Sequence, residues 1–204
     1  MNNIGPLPSD LPVLHNIQHS AYRCRDAEQT RWFYEDVLGL PLAAALTLER
    51  DEADGENVEF MHLFFEMGDG NHIAFFDEPT HASVDNFKKR HGFDIHIAFE
   101  APSQSVLELW RQRLQRAGVQ FSTIDHGFLH SLYFYDPNGI RLEITWKTPS
   151  YASQMEGERA AAHQKIVEWT KRTRPVKEGR FGAGAIDRRT YLTPDMPTLG
   201  TIGD

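Results

Sequence analysis

Three side chains in this sequence have the donor chemistry to hold a divalent metal ion: His19, His96 and Glu143. Two neutral imidazoles and one carboxylate cap one side of a cation and leave its other positions open, an arrangement suited to non-haem iron(II). Glu143 stands in the run Arg141-Leu142-Glu143-Ile144-Thr145. Strand alternation there turns Leu142 and Ile144 toward a core and Arg141, Glu143 and Thr145 to the other face. A carboxylate on such a strand is costly to bury unless a cation or donor compensates it. Taken singly, each histidine is the ordinary hydrogen-bonded, partly buried residue of most folds. Their joint placement reverses that reading.

The placement comes from an internal repeat. Sliding the chain on itself by 77 residues lays HSAYRCRDAEQTRWFYEDVLG, from His19, on HIAFEAPSQSVLELWRQRLQR, from His96, without a gap. Each copy opens with a short alternating stretch and then meets a helix N-cap residue, Asp26 or Ser103. Apolar residues at helical spacing follow: Trp32, Phe33, Val37 and Leu38 in one copy, Val106, Leu109, Trp110 and Leu114 in the other. Gly39 and Gly118 suit the left-handed helix ends. Three strands fit after each helix, at about 43–50, 59–67 and 71–76, then at about 120–124, 129–135 and 141–147. GDGN at 68–71 and DPNG at 136–139 are matching turns. The expected fold is α+β: two tandem βαβββ modules, about 14–78 and 92–148, forming a cupped mixed sheet around a metal site within 1–149. Pseudo-twofold symmetry then brings His19, His96 and Glu143 together. A C-terminal helix over 151–173 follows, with Met155, Ala162, Ile166 and Trp169 in a stripe, and an irregular tail after Pro175 completes 150–204.

Bulk properties narrow the partners. The formal charge of -8 argues against the basic face that nucleic acid or an anionic membrane needs. The start has no cationic stretch leading into a long apolar run, so neither a secretory signal nor a membrane helix is expected. The single cysteine, Cys24, suits a reducing compartment, and a cytoplasmic location follows as the expectation. A small molecule is the expected partner, with a homo-oligomer the expected assembly.

These residues resemble the vicinal oxygen chelate superfamily, which includes glyoxalase I, bleomycin-resistance proteins and type I extradiol ring-cleavage dioxygenases. The likeness covers about 14–146. IQHSAYRCRDAEQTRWFYEDVLGL looks like the family's opening strand and helix, and the resemblance makes His19 a metal ligand. IDHGFLHSLYFYDPNGIRLE, Ile124 to Glu143, is similar to the dioxygenase pattern. It implies that Glu143 and His96 are ligands, that Tyr133 bonds a substrate hydroxyl and that His126 supports it. His72, just before Ala74-Phe75, resembles the dioxygenase acid-base histidine with the spacing off by one residue, which leaves Asn71 as a rival. Opposite Glu143, where glyoxalase I enzymes carry a fourth ligand, the first copy offers only Ala74, Phe75 or Phe76.

The resemblance therefore implies a small iron(II) extradiol dioxygenase, with manganese(II) the alternative metal, acting on a catechol-type diol such as 2,3-dihydroxybiphenyl and on O2. A glyoxalase-like isomerase or lyase is the alternative, and a binding protein that sequesters a small molecule in the same cup is a third. Of the remaining histidines, His62 is expected to be structural, and His81, His91 and His163 to lie on the surface. Phe60, Phe64, Phe65, Phe75, Phe76, Phe93 and Phe99 are expected mostly in the core, with those on the concave side forming a flat pocket for an aromatic ring.

Overall fold

The structure, a computed structural model, describes residues 14–49, 57–184 and 187. Residues 16–149 fall in one compact unit and the long C-terminal helix in another. The order is β1 (His19–Cys24), α1 (Ala27–Arg31), β2 (Leu42–Leu48), β3 (Phe60–Glu66), β4 (His72–Asp77), β5 (His96–Glu100), α2 (Gln104–Arg116), β6 (Ser122–Asp125), β7 (Leu129–Tyr135), β8 (Arg141–Lys147) and α3 (Tyr151–Phe181). A 3-10 turn, Val84–Phe87, lies in the linker between the modules. The strands form two four-stranded sheets of like topology, β1-β4-β3-β2 and β5-β8-β7-β6, each with one parallel pair beside two antiparallel ones. The doubled βαβββ plan is therefore present.

Both helices start as their caps dictate. The Asp26 side chain accepts from Gln29 N and that of Ser103 from Val106 N, each pairing a backbone donor the first turn cannot pair itself. The first helix then departs from expectation. After α1 it continues as a π-helical segment, Trp32–Val37, where Leu38 N donates to Phe33 O. The wider turn rotates the buried face, so Tyr34 goes fully inside and Trp32 lies exposed. In α2 the buried residues are Leu107 and Leu114, while Leu109 faces solvent.

One apolar cluster joins the two modules. It contains Leu63, Phe65, Ile73 and Phe75 of the first sheet, Leu132, Phe134, Leu142 and Ile144 of the second, and Phe33, Tyr34, Leu107 and Leu114 of the helical segments. Strand alternation sets the consequence: the opposite face of each sheet points away from that shared core. The two sheets are separate, and each gives its inward residues to that one core.

The DPNG turn clasps the modules. Tyr34 Oη donates to Asp136 Oδ2 (3.0 Å), Arg25 N donates to Asn138 Oδ1 (2.9 Å), and Asn138 Nδ2 reaches Thr30 Oγ1 (3.3 Å). Asp136 Oδ1 also accepts from Asn138 N and Ile140 N, which fixes the start of β8. Burial pushes the Asp136 carboxyl up to about 6 in spite of these donors. Gly139 has a positive φ and lies against the Lys88 carbonyl, where a Cβ would sit 2.4 Å from the oxygen.

Helix α3 runs unbroken through Pro175 to Phe181, eight residues beyond the expected end at Thr173, and none of its side chains is buried. The rest of the tail and the end of the predicted strand at Arg50 lie outside the described residues. No helix among the described residues is long and apolar enough to cross a membrane.

Candidate metal centre

The outward face of the second sheet brings four of the six candidate residues together. Glu143 is 5% exposed, and its Oε2 lies 2.8 Å from His96 Nε2. Glu143 sits between Ala98 on β5 and Tyr133 on β7, and the His96 and Tyr133 rings are 5.6 Å apart between centroids. Tyr133 Oη is 3.0 Å from Nε2 of the exposed His126. Burial, then the nearby Glu143 charge, raises the Tyr133 phenol above its ordinary range. His130 lies elsewhere, beside Asp125 (3.2 Å) and the Trp146 ring.

A fifth residue belongs to this group although its sequence position gave no sign of a role. The Arg141 guanidinium lies 4.6 Å above the Tyr133 ring, a cation stacked on an aromatic face. It packs so closely over the linker that a Cβ at Gly92 would stand 2.5 Å from its Nη1.

His19 and His72 are on the other sheet. They are register partners on β1 and β4 and so share its outward face. His19 Nδ1 is hydrogen-bonded to the Gln18 side chain, and its ring meets Phe64 (5.6 Å) and His62 (6.1 Å). His72 Nδ1 is buried with no hydrogen-bond partner, as is His62 Nε2. Burial, and next the charge of His19, lowers the His62 pKa. Among the described residues no three His, Cys, Asp or Glu side chains are grouped to hold a metal. Two of the three expected ligands meet within the chain, and His19 does not join them.

The registers of the two modules correspond. His96 pairs with Arg141 and Ala98 with Glu143, as His19 pairs with His72 and Ala21 with Ala74. Ala74 therefore occupies in the first sheet the position of Glu143 in the second, and it supplies no donor.

The His96–Glu143 pair fits a divalent cation. A nearly buried carboxylate faces one imidazole nitrogen, with Tyr133 and Arg141 as the other polar neighbours, and an oxygen–nitrogen donor pair of this kind suits iron, manganese or zinc.

The profile of the Glyoxalase/Bleomycin resistance protein/Dioxygenase superfamily matches residues 16–144. The chain belongs to this superfamily. Its sequence is 28% identical over 138 residues to "Glyoxylase I 4" of Arabidopsis thaliana, covering 64% of this chain and 70% of that protein. Its fold matches a glyoxylase/bleomycin resistance protein/dioxygenase domain from Frankia sp. EAN1pec (TM-score 0.55, 22% identity, 67% of this chain and 95% of that one). It also matches a variant of the fosfomycin resistance protein FosX from Listeria monocytogenes (TM-score 0.50, 19% identity, 68% and 97%), crystallised with manganese(II) and a dihydroxypropylphosphonic acid. Divalent metals are thus bound within the superfamily.

Proposed function

We propose that this chain is a metal-dependent enzyme, an iron(II) extradiol dioxygenase acting on a catechol-type diol, whose centre forms between two copies of the chain. The observation that carries the reading is the Tyr133–His126 pair beside His96 and Glu143, with Ala74 where a fourth ligand would stand. His96 and Glu143 hold the metal from the second sheet of one copy. His19, on the outward face of a first sheet, reaches it from the other copy, a reading supported by the lack of a third ligand beside the His96–Glu143 pair among the described residues of one chain. When bound, an iron(II) ion supplies Lewis acidity toward the diol and a redox centre for dioxygen.

The rest is the work of side chains. Tyr133 Oη, protonated at neutral pH, donates to a substrate oxygen and orients the ring. His126 Nε2, 3.0 Å behind it and open to solvent, receives or returns that proton, so the two atoms connect the site to bulk water. Arg141 fixes the Tyr133 ring and gives an anionic product a cation to meet. His72, on the facing sheet, is the candidate second proton carrier.

Protein loaded anaerobically with iron(II) should consume oxygen when a catechol or 2,3-dihydroxybiphenyl is added, and Glu143→Ala should abolish uptake. A second reading, a glyoxalase-like isomerase or lyase, draws support from the Arabidopsis relative's name. Turnover of a substrate without oxygen, activated by nickel or zinc, would favour it and overturn the dioxygenase.

A further inference from the structure

The outward face of the first sheet carries a continuous layer of rings. Phe60 meets Phe76 (5.6 Å), Phe76 stacks on His62 (3.9 Å, 26° between planes), and His62 meets Phe64 (4.1 Å). Phe64 in turn meets His72 (5.9 Å) and His19 (5.6 Å). Phe60, His62 and Phe64 alternate with Met61, Leu63 and Phe65, so the ring layer takes no part in the core face of the sheet. Ala74 lies on this outward face, paired in register with Phe64, and has no exposed surface.

Packing of the fold accounts for the inward rings and leaves the outward ones unexplained. The same face holds His62 Nε2 and His72 Nδ1, the two buried side-chain polar atoms without a partner among the described residues. Buried polar atoms are nearly always paired, and an exception calls for a partner such as a water, an ion or a ligand. An aromatic layer offers stacking, and an unpaired imidazole nitrogen offers one hydrogen bond.

We infer that this layer is the floor on which the ligand lies, a planar aromatic molecule bearing a hydroxyl, and that His62 selects for the hydroxyl. The stack on Phe76 holds the His62 ring in place, and the exposed His19 ring lies beside it. This assignment rests on the metal-site reading only in that the floor adjoins His19, and binding to it is measurable without metal.

The experiment is calorimetric binding to the chelator-treated full chain, with 2-naphthol and 2-methoxynaphthalene as probes, the second carrying a methyl group in place of the hydroxyl proton. The wild type should prefer 2-naphthol by about tenfold, the worth of one hydrogen bond. His62→Phe keeps the stack and should make the two probes equal. His62→Leu removes the stack and should weaken both by about tenfold. Equal binding of the probes by the wild type, or a preference that survives in His62→Phe, would overturn the assignment. Melting curves on both variants separate lost binding from lost folding. Because no metal is present, absence of iron binding leaves these results standing, and their failure leaves the metal reading standing.

Discussion

The two sheets share one topology and one register, but their outward faces carry different chemistry. At the position where the second sheet has Glu143 the first has Ala74, and where the second has Arg141 the first has His72. The second face is a compact polar cluster of carboxylate, imidazole, phenol and guanidinium. The first is a layer of rings with two unpaired nitrogens. Duplication has kept the frame and changed the faces: one carries polar and ionisable groups, the other a layer of aromatic rings. Among the described residues neither face groups three His, Cys, Asp or Glu side chains that could hold a metal.

The connecting turns differ in the same way. Asp136 of DPNG reaches across to Tyr34 and is buried, whereas Asp69 of GDGN accepts only from its neighbour Asn71. Hydrogen bonds to Asn71 lower the Asp69 carboxyl, while burial raises that of Asp136 to about 6. The second turn thus hydrogen-bonds one module to the other.

The largest effect expected from breaking this asymmetry falls on Tyr133. Tyr133→Phe should lower kcat by about 100-fold while metal content is unchanged, since the phenol handles a proton and is not a ligand. Measured metal loss in this variant would instead make the hydroxyl part of the ligand set.

A smaller effect concerns the clasp. The folded-state pKa of Asp136 is raised above its ordinary 3.8, so its contribution to stability is fully present below that value and is lost as pH rises through about 6. Asp136→Asn cannot ionise and keeps one acceptor oxygen for the turn. Relative to wild type it should gain stability as pH rises from about 3.5 to about 6.5, by up to about 3 kcal/mol with no further gain above, read from melting curves. A difference constant with pH would show that the carboxyl titrates in its normal range.

Much of this was legible in the sequence, for physical reasons. The 77-residue repeat located both modules, and the turn residues placed β7 and β8 at their observed bounds. Alternation in β8 put Leu142 and Ile144 inside and Glu143 on the other face, as observed. The exchange of Trp32 for Tyr34 was not legible, because a π-helical turn changes the period on which the pattern depends. Nor was the relation of the sheets: a period of two tells which residues share a face, but not which faces meet. The expectation that symmetry unites His19 with His96 and Glu143 rested on the repeat alone, and among the described residues His96 and Glu143 meet without a third such ligand. His62 looked structural because a lone strand histidine carries no signal until its neighbours across the sheet are known.

Subunit mixing tests the division between faces most directly. Purified His19→Ala and Glu143→Ala chains should each lose stoichiometric iron(II). Unfolded and refolded together, they should recover about a quarter of the wild-type metal, since half the dimers are mixed and each holds one intact site. His96→Ala mixed with Glu143→Ala should recover none, because both ligands come from one sheet. Recovery by the first pair alone is the predicted result, and no recovery by either pair, with the wild type fully loaded, would contradict a site shared between copies.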